Sequence, residues 1–222
     1  MTFSILGRCE ATGMIGVAVT SSWIAAGSNC PRVRPGVGAA IAQHYTDPRV
    51  TSAALDALER GDDPATALGD AVDGLQGRDM KQAAVIDLQG RTAVFHGDAV
   101  TGAFGDAAVD QAVALGNSLV GQAVVRAVAD AFAASEGHLA DRLLAALGAG
   151  ADAGGEGRPL HSAGLLIGAG ETWPRIDLRI DWSDGSPVED LAALWERYRV
   201  HEEDQVRWAV NPSFDDLKGS AT

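Results

Sequence analysis

The chain opens Met1-Thr2-Phe3-Ser4-Ile5, and Thr2 is its most chemically suggestive residue. A threonine is small enough at position 2 for the initiator Met1 to be removed. Removal leaves a free α-amine and a hydroxyl on one residue. A hydroxyl is a poor nucleophile without a base in hydrogen-bond reach, and an α-amine with a pKa of about 7.7–8.0 is such a base. The plainer alternative is a small second residue that serves translation only.

Other polar residues collect at the ends of apolar runs. Thr20-Ser21-Ser22 closes one run and Gln43-His44 closes another. Gly116-Asn117-Ser118 is expected just before a helix, and Arg34 just before the third strand. Singly, each reads as a cap, a turn or a hydrated strand end. Together they suggest one end of a layered sheet, where loops on a rigid scaffold carry function.

Several familiar chemistries fail on context. Gly148-Ala149-Gly150-Ala151-Asp152-Ala153 nearly matches a dinucleotide loop but follows a helix where a strand is required. Leu160-His161-Ser162-Ala163-Gly164 lacks the first glycine of a serine elbow. Cys9 and Cys30 have neither zinc-ligand nor disulfide-framework spacing and read as small buried hydrophobes. His44, His96, His138, His161 and His201 are scattered, and Asp177, Asp181 and Asp184 do not have the spacing of a calcium loop. No metal and no cofactor are expected.

The elements that must hold these residues follow from apolar periodicity. Residues 3–8 and 14–20 form a hairpin, and 37–42 a third strand, small and apolar on both faces. Asp47-Pro48 and Asp63-Pro64 each cap a helix, stopped near Gly61 and Gly74. A second hairpin spans 83–87 and 92–95. Helices at 121–134 and 138–147 are joined by a short turn and lie antiparallel, and a Gly/Ala-rich loop covers 148–158. Strands at 161–167 and 175–180 precede a helix opened by the capping box Ser186-Pro187-Val188-Glu189. Hairpins make the sheets antiparallel, and strands apolar on both faces must be covered twice. The expected fold is α+β, two sheets face to face with helices outside each, a four-layer αββα sandwich.

Residues 1–200 are expected to be a single domain, with 201–222 a polar tail whose Trp208 and Phe214 pack on the domain or on a partner subunit. A homo-oligomer is expected. The net charge is −13 with two lysines, Lys81 and Lys218, so the surface repels phosphate backbones and nucleic acid is not the partner. No apolar run reaches membrane-spanning length, and the N-terminus lacks the order of a secretion signal. A cytoplasmic protein with a small-molecule substrate or ligand is expected.

Taken jointly, Thr2-Phe3-Ser4-Ile5, Gly16-Val17-Ala18-Val19 with Ser21, Gly36-Val37-Gly38-Ala39 with Gln43, Gly116-Asn117, and Ala153-Gly154-Gly155 with Arg158 and Ser162-Ala163 resemble the bacterial domain of unknown function 1028 family. The resemblance runs from residue 2 to about residue 198. That family resembles the N-terminal-nucleophile (Ntn) hydrolases, whose fold is an αββα sandwich. The resemblance implies Thr2 as nucleophile with its own amine as base, Arg34 as a cation keeping that amine neutral, and Asn117 as an oxyanion donor. It implies Ser21, Gln43, His44, Glu156, Arg158, His161 and Ser162 as substrate-binding residues. The chain departs from the family pattern at Gly155-Glu156-Gly157-Arg158-Pro159-Leu160-His161-Ser162, where an Asp becomes Glu156, a Gly becomes Pro159 and a Gln becomes His161. The expected activity is an amidohydrolase on a small amide or ureido compound. The alternative is a non-catalytic metabolite-binding or accessory protein on the same scaffold.

Overall fold

The computed structural model describes residues 1–213. The N-terminal strand β1 (Thr2–Arg8) lies inside a six-stranded antiparallel sheet. Its neighbours are β2 (Ile15–Ser21) and β8 (Ala112–Leu119). Beyond β2 come β9 (Ser162–Gly168) and β10 (Ile176–Ile180), and beyond β8 comes β7 (Ala103–Val109). The second sheet has the order β3 (Pro31–Arg34), β4 (Gly38–His44), β5 (Lys81–Asp87) and β6 (Thr92–His96), again antiparallel throughout.

Alternation along the strands explains why the sheets stack. Leu6 on β1, Val17 and Val19 on β2, and Val113 and Leu115 on β8 face Ala39 and Ile41 on β4 and Ala84 and Ile86 on β5, forming one buried layer between the sheets. The intervening residues face outward. Ala40, Ala42, Ala83 and Val85 pack under helices α2 (Pro48–Glu59) and α3 (Pro64–Val72). Phe3, Ile5, Ala18, Ala114 and Leu165 pack under α4 (Ala123–Ala134), α5 (Leu139–Asp152) and α6 (Pro187–Tyr198). Three apolar layers between four structural layers make an αββα sandwich.

Four features depart from the sequence expectation. The hairpin β7–β8 replaces the unassigned stretch before α4, so Gly116-Asn117 belongs to a strand and pairs with Phe3 and Thr2. Gly116 and Asn117 read locally as breakers, but burial and pairing with β1 hold them extended, while Ser118 turns left-handed at the strand's end. Residues 31–34 form a strand of their own, a short edge against β4. The Gly/Ala-rich stretch begins as helix, because α5 runs on to Asp152. A Cβ at Gly150 would lie 2.5 Å from Val128 Cγ2 and 2.7 Å from Phe3 Cε2, so glycine is what lets α5 sit on the Phe3 ring. Finally, 202–210 is helical (α7, Glu202–Val210), with Glu202 accepting from Arg175 Nε at 2.6 Å. Trp208 is on this helix, and Phe214 lies outside the described residues.

Candidate functional site

At one end of the layer between the sheets the inward residues change from apolar to polar. Following β1, β4, β5 and β8 past Leu6, Ile41, Ala84 and Leu115 leads to Ser4, Gln43, Gln82 and Asn117, all fully buried. Buried amides must be paired, and Gln82 is the hub. Its Oε1 accepts from Gln43 Nε2 at 2.6 Å and Asn117 Nδ2 at 2.9 Å, while its Nε2 donates to the Gly116 carbonyl at 2.8 Å. A carbonyl can only accept, which fixes the orientation of the Gln82 amide. The remaining Nε2 hydrogen then points to His96 Nδ1 at 2.9 Å, so that nitrogen is the acceptor. The His96 proton is therefore on Nε2, which donates to Asp106 Oδ1 at 2.8 Å. Gln43 also accepts from Ser4 Oγ at 2.9 Å and reaches the Thr2 carbonyl at 3.4 Å.

Above this network a cavity of about 1030 Å³ opens to the surface. Thr2 and Ser21, the next inward residues on β1 and β2, lie on its wall with Met1. Thr2 Oγ1 donates to the Met1 carbonyl oxygen at 2.5 Å and lies 3.3 Å from Ser21 Oγ. Ser21 Oγ also donates to the Met1 carbonyl at 2.5 Å and accepts from Trp23 N–H at 3.0 Å. Glu156, buried, accepts from Ser22 N–H at 3.1 and 3.3 Å. Burial pushes its carboxyl pKa up, opposed by the Ser22 hydrogen bonds, the N-terminal ammonium and Arg158. Arg158 and Lys81 bring positive charge to the same wall; Lys81 Nζ donates to the Tyr45 carbonyl at 2.9 Å. Cys30 is also on the wall, its thiol pushed up by burial. Trp23, Ile24 and Tyr45 line the mouth with 73%, 50% and 59% of their surface exposed.

The wall is held in uncommon backbone. His44 (φ 70°) and Ser118 (φ 52°) line the cavity, and Ala25 (φ 56°) precedes its lining residue Ala26. Each left-handed non-glycine costs roughly 1–2 kcal/mol, so the surrounding contacts must enforce it. For His44 they do. Thr101 N–H reaches Nε2 at 3.4 Å and Thr101 Oγ1 lies 3.0 Å from it, while Nδ1 lies 2.7 Å from the Met80 carbonyl.

Of the residues singled out from sequence, the cavity brings together Thr2, Ser21, His44, Glu156 and Arg158. Gln43 and Asn117 lie one layer beneath, and the Asn117 Nδ2 is engaged by Gln82. Ser162 is fully buried, donates to the Trp23 carbonyl at 2.6 Å and accepts from Ala26 N–H at 3.1 Å, so it fixes the loop behind the wall. His161 stacks on Trp182 with ring centroids 4.1 Å apart, and its backbone N–H donates to the Ser21 carbonyl. Arg34 is not in the cluster. It pairs in register with Gly38, at the other end of β4 from His44, a separation of about 20 Å at 3.3 Å per residue. Its guanidinium is bound by Asp56 and Glu59 of α2, each at 2.7 Å. The sequence reading missed Gln82, Lys81 and the His96–Asp106 pair. Only the sheet register puts them under Thr2.

The fold and site together define an αββα sandwich whose first strand delivers a threonine to a cavity at the sheet end. The chain belongs to DUF1028, a family of unknown function whose model matches residues 2–191. The crystal structure of protein SPO2555 from Silicibacter pomeroyi, assigned to the same family, is 30% identical, with 89% of this chain and 85% of that chain covered and a TM-score of 0.84. Anbu (ancestral beta-subunit) from Yersinia bercovieri is 14% identical over 91% of this chain and 97% of its own, at a TM-score of 0.40. Anbu from Hyphomicrobium sp. strain MC1 is 13% identical over 96% and 99%, at 0.42. No curated protein matches the sequence. Among the described residues no helix is long and apolar enough to cross a membrane.

Proposed function

We propose that this protein is an Ntn-type amidohydrolase acting on a small amide or ureido compound, with Thr2 as nucleophile once Met1 has been removed. The observation that carries this reading is the placement of Thr2: first residue of a central strand, on the wall of a cavity of about 1030 Å³, with its hydroxyl beside Ser21. Removing Met1 turns the Thr2 nitrogen into an amine on the same residue as the hydroxyl. The amine takes the hydroxyl proton as Oγ1 bonds to the substrate carbonyl carbon. The carbon–nitrogen bond then breaks, and that proton passes to the leaving nitrogen. Water hydrolyses the resulting ester and restores Thr2.

Ser21 Oγ, 3.3 Å from the Thr2 hydroxyl, is the donor for the developing oxyanion. The Asn117 amide, engaged by Gln82, positions β8 beside Thr2 and does not itself donate. Arg158 supplies the positive charge near the amine, in place of the distant Arg34, Lys81 being held by the Asp47 carboxylate at 3.8 Å. Gln43 holds the Thr2 carbonyl, and His44, Glu156 and Arg158 contact substrate. The reading includes a cytoplasmic setting and a homo-oligomer, the exposed Val200 and Val210 of the C-terminal segment offering apolar surface for the latter.

The test is turnover of a panel of small amides and ureido compounds by protein beginning at residue 2. Thr2→Ala is expected to lower kcat by at least about 10³-fold without changing the circular dichroism spectrum. Ser21→Ala is expected to lower it about 10²-fold. Full activity in Thr2→Ala would end the proposal.

One observation favours a second reading. With Met1 in place its carbonyl occupies both hydroxyls, which suits a non-catalytic metabolite-binding protein. That reading predicts ligand affinity indifferent to Met1 and lost in Arg158→Ala.

A further inference from the structure

The cavity wall carries a second hydroxyl–base pair that the Thr2 chemistry does not use. Thr101, Ser118 and His44 all line the cavity. Thr101 Oγ1 lies 3.0 Å from His44 Nε2, and His44 Nδ1 lies 2.7 Å from the Met80 carbonyl oxygen. A carbonyl only accepts, so the ring proton is on Nδ1 and Nε2 presents its lone pair. The Thr101 backbone N–H, which reaches Nε2 at 3.4 Å, agrees with that tautomer. A hydroxyl on a neutral imidazole, whose other nitrogen is tied to a fixed acceptor, has the nucleophile–base–orienter geometry of covalent catalysis.

The backbone is bent to make this cluster. His44 and Ser118 hold left-handed φ angles of 70° and 52°, conformations that collect at active sites because the surroundings must enforce them. The segment bearing Thr101 is pressed onto β8. Gly102 has φ 72°, and a Cβ there would lie 2.7 Å from the Ser118 Cα. The Ser118 N–H and Oγ–H both donate to the Thr101 carbonyl at 3.1 Å. The N–H bond holds that carbonyl by itself, so the Ser118 hydroxyl is free to turn. It stands 3.4 Å from Thr101 Oγ1.

We propose that Thr101, His44 and Ser118 form a second hydrolytic centre, one that takes small carboxylic esters. Thr101 Oγ1 bonds to the ester carbonyl carbon as His44 Nε2 takes its proton, and Ser118 Oγ donates to the developing oxyanion. The ester carbon–oxygen bond breaks, and the imidazolium returns the proton to the leaving oxygen. Water then gives a proton to Nε2 as its oxygen bonds to the acyl carbon, and Thr101 Oγ1 leaves with that proton. The Met80 carbonyl orients the ring and accepts from Nδ1 throughout. Esters suit the centre and amides do not, because an oxygen leaving group departs far more readily than an unprotonated nitrogen and a single side-chain donor serves the oxyanion. Tyr45 and Leu119 give the acyl group apolar contact. The activity goes beyond the amide chemistry of Thr2 and does not depend on it, since neither Thr2 nor the loss of Met1 enters its steps.

The test is release of p-nitrophenolate from p-nitrophenyl acetate by the full chain carrying Thr2→Ala, which lacks the other nucleophile. That chain is expected to turn over the ester. Adding Thr101→Val or His44→Gln is expected to lower kcat by at least about 10²-fold, with the circular dichroism spectrum unchanged. Thr101→Ser, which keeps the hydroxyl, is expected to restore turnover. Acid quenching during turnover and peptide mass mapping should place the acetyl group on Thr101, a readout that a merely structural role for these residues would not produce. No turnover by the Thr2→Ala chain, undiminished turnover in Thr101→Val, or an acetyl group found only on other residues overturns the proposal. None of these results touches amide cleavage by Thr2, which is measured separately.

Discussion

Replacing Gln82 by leucine tests whether the amide network beneath Thr2 acts as one unit. Leucine fills most of the glutamine volume but can neither accept nor donate. Gln82→Leu strips Asn117 Nδ2 of its acceptor, and Asn117 Oδ1 already has no partner, so a fully buried amide is left unpaired. The Gly116 carbonyl loses a side-chain donor, and Gln43 Nε2 keeps only its long contact to the Thr2 carbonyl at 3.4 Å. His96 Nδ1, nearer the surface, can find water. Each of the two worst-affected groups costs about 1–3 kcal/mol. With a share for Gln43, the loss comes to about 3–6 kcal/mol, a large part of a typical domain's stability. Urea unfolding followed by tryptophan fluorescence, with linear extrapolation, reads this directly. The network also predicts coupling, because apolar groups at both ends of a lost pair do better than at one. Asn117→Leu should therefore cost less in the Gln82→Leu background than in the wild type. A loss under about 1 kcal/mol for Gln82→Leu, or strict additivity of the pair, would refute the reasoning.

Other outcomes follow from the same contacts. A Cβ at Gly164 would lie 2.4 Å from the Gly27 Cα, so Gly164→Ala should push α1 (Ala26–Asn29) off β9. Chemical denaturation should register a cost of about 1–3 kcal/mol or more, and ligand affinity should fall because Ala26 and Asn29 line the cavity. The Asp47 carboxyl is lowered to about 2, chiefly by its hydrogen bond from Arg49. A depressed carboxyl stabilises the fold above its unfolded value and loses that contribution as pH falls toward the folded one. Between pH 4 and 2 the wild type should lose about 1 kcal/mol through this group, the exposed Arg49 being screened. Asp47→Asn keeps the helix cap and should flatten that slope in acid-unfolding curves. An unchanged slope would contradict the assignment.

The sandwich was legible because its cause is local. Met14-Ile15-Gly16-Val17-Ala18-Val19 is too continuously apolar for a half-wet strand, and Asp47-Pro48 and Asp63-Pro64 announce helices that do form with those caps. The hairpin β7–β8 was not legible. Ala103–Val109 and Ala112–Leu119 carry Gly105, Asp106, Gly116, Asn117 and Ser118, residues with little preference for extended chain. Pairing to Thr2–Gly7 imposes the strand on Gly116 and Asn117, and β8 in turn imposes it on Gly105 and Asp106. The same holds for the site. Thr2, Ser21 and Glu156 stand out by type or by family likeness, whereas Gln82 is an ordinary glutamine after Lys81 until the register places it opposite Gln43. Arg34 misled because one residue's distance along the chain from a strand says nothing about which end of that strand it joins. β3 runs antiparallel to β4 and carries the guanidinium away. The left-handed backbone of Ala25, His44 and Ser118 has no sequence signal at all, since none is glycine or asparagine.

The account stands or falls on the identity of the first residue in the molecules that turn over substrate. Intact-mass spectrometry of the purified active fraction, alone and after quenching with a slowly cleaved amide, measures it. The account predicts a mass lower than the full sequence by one methionine, with the acyl adduct carried by that species and localised to Thr2. Active protein that retains Met1 in full, or an adduct on another residue, would contradict it.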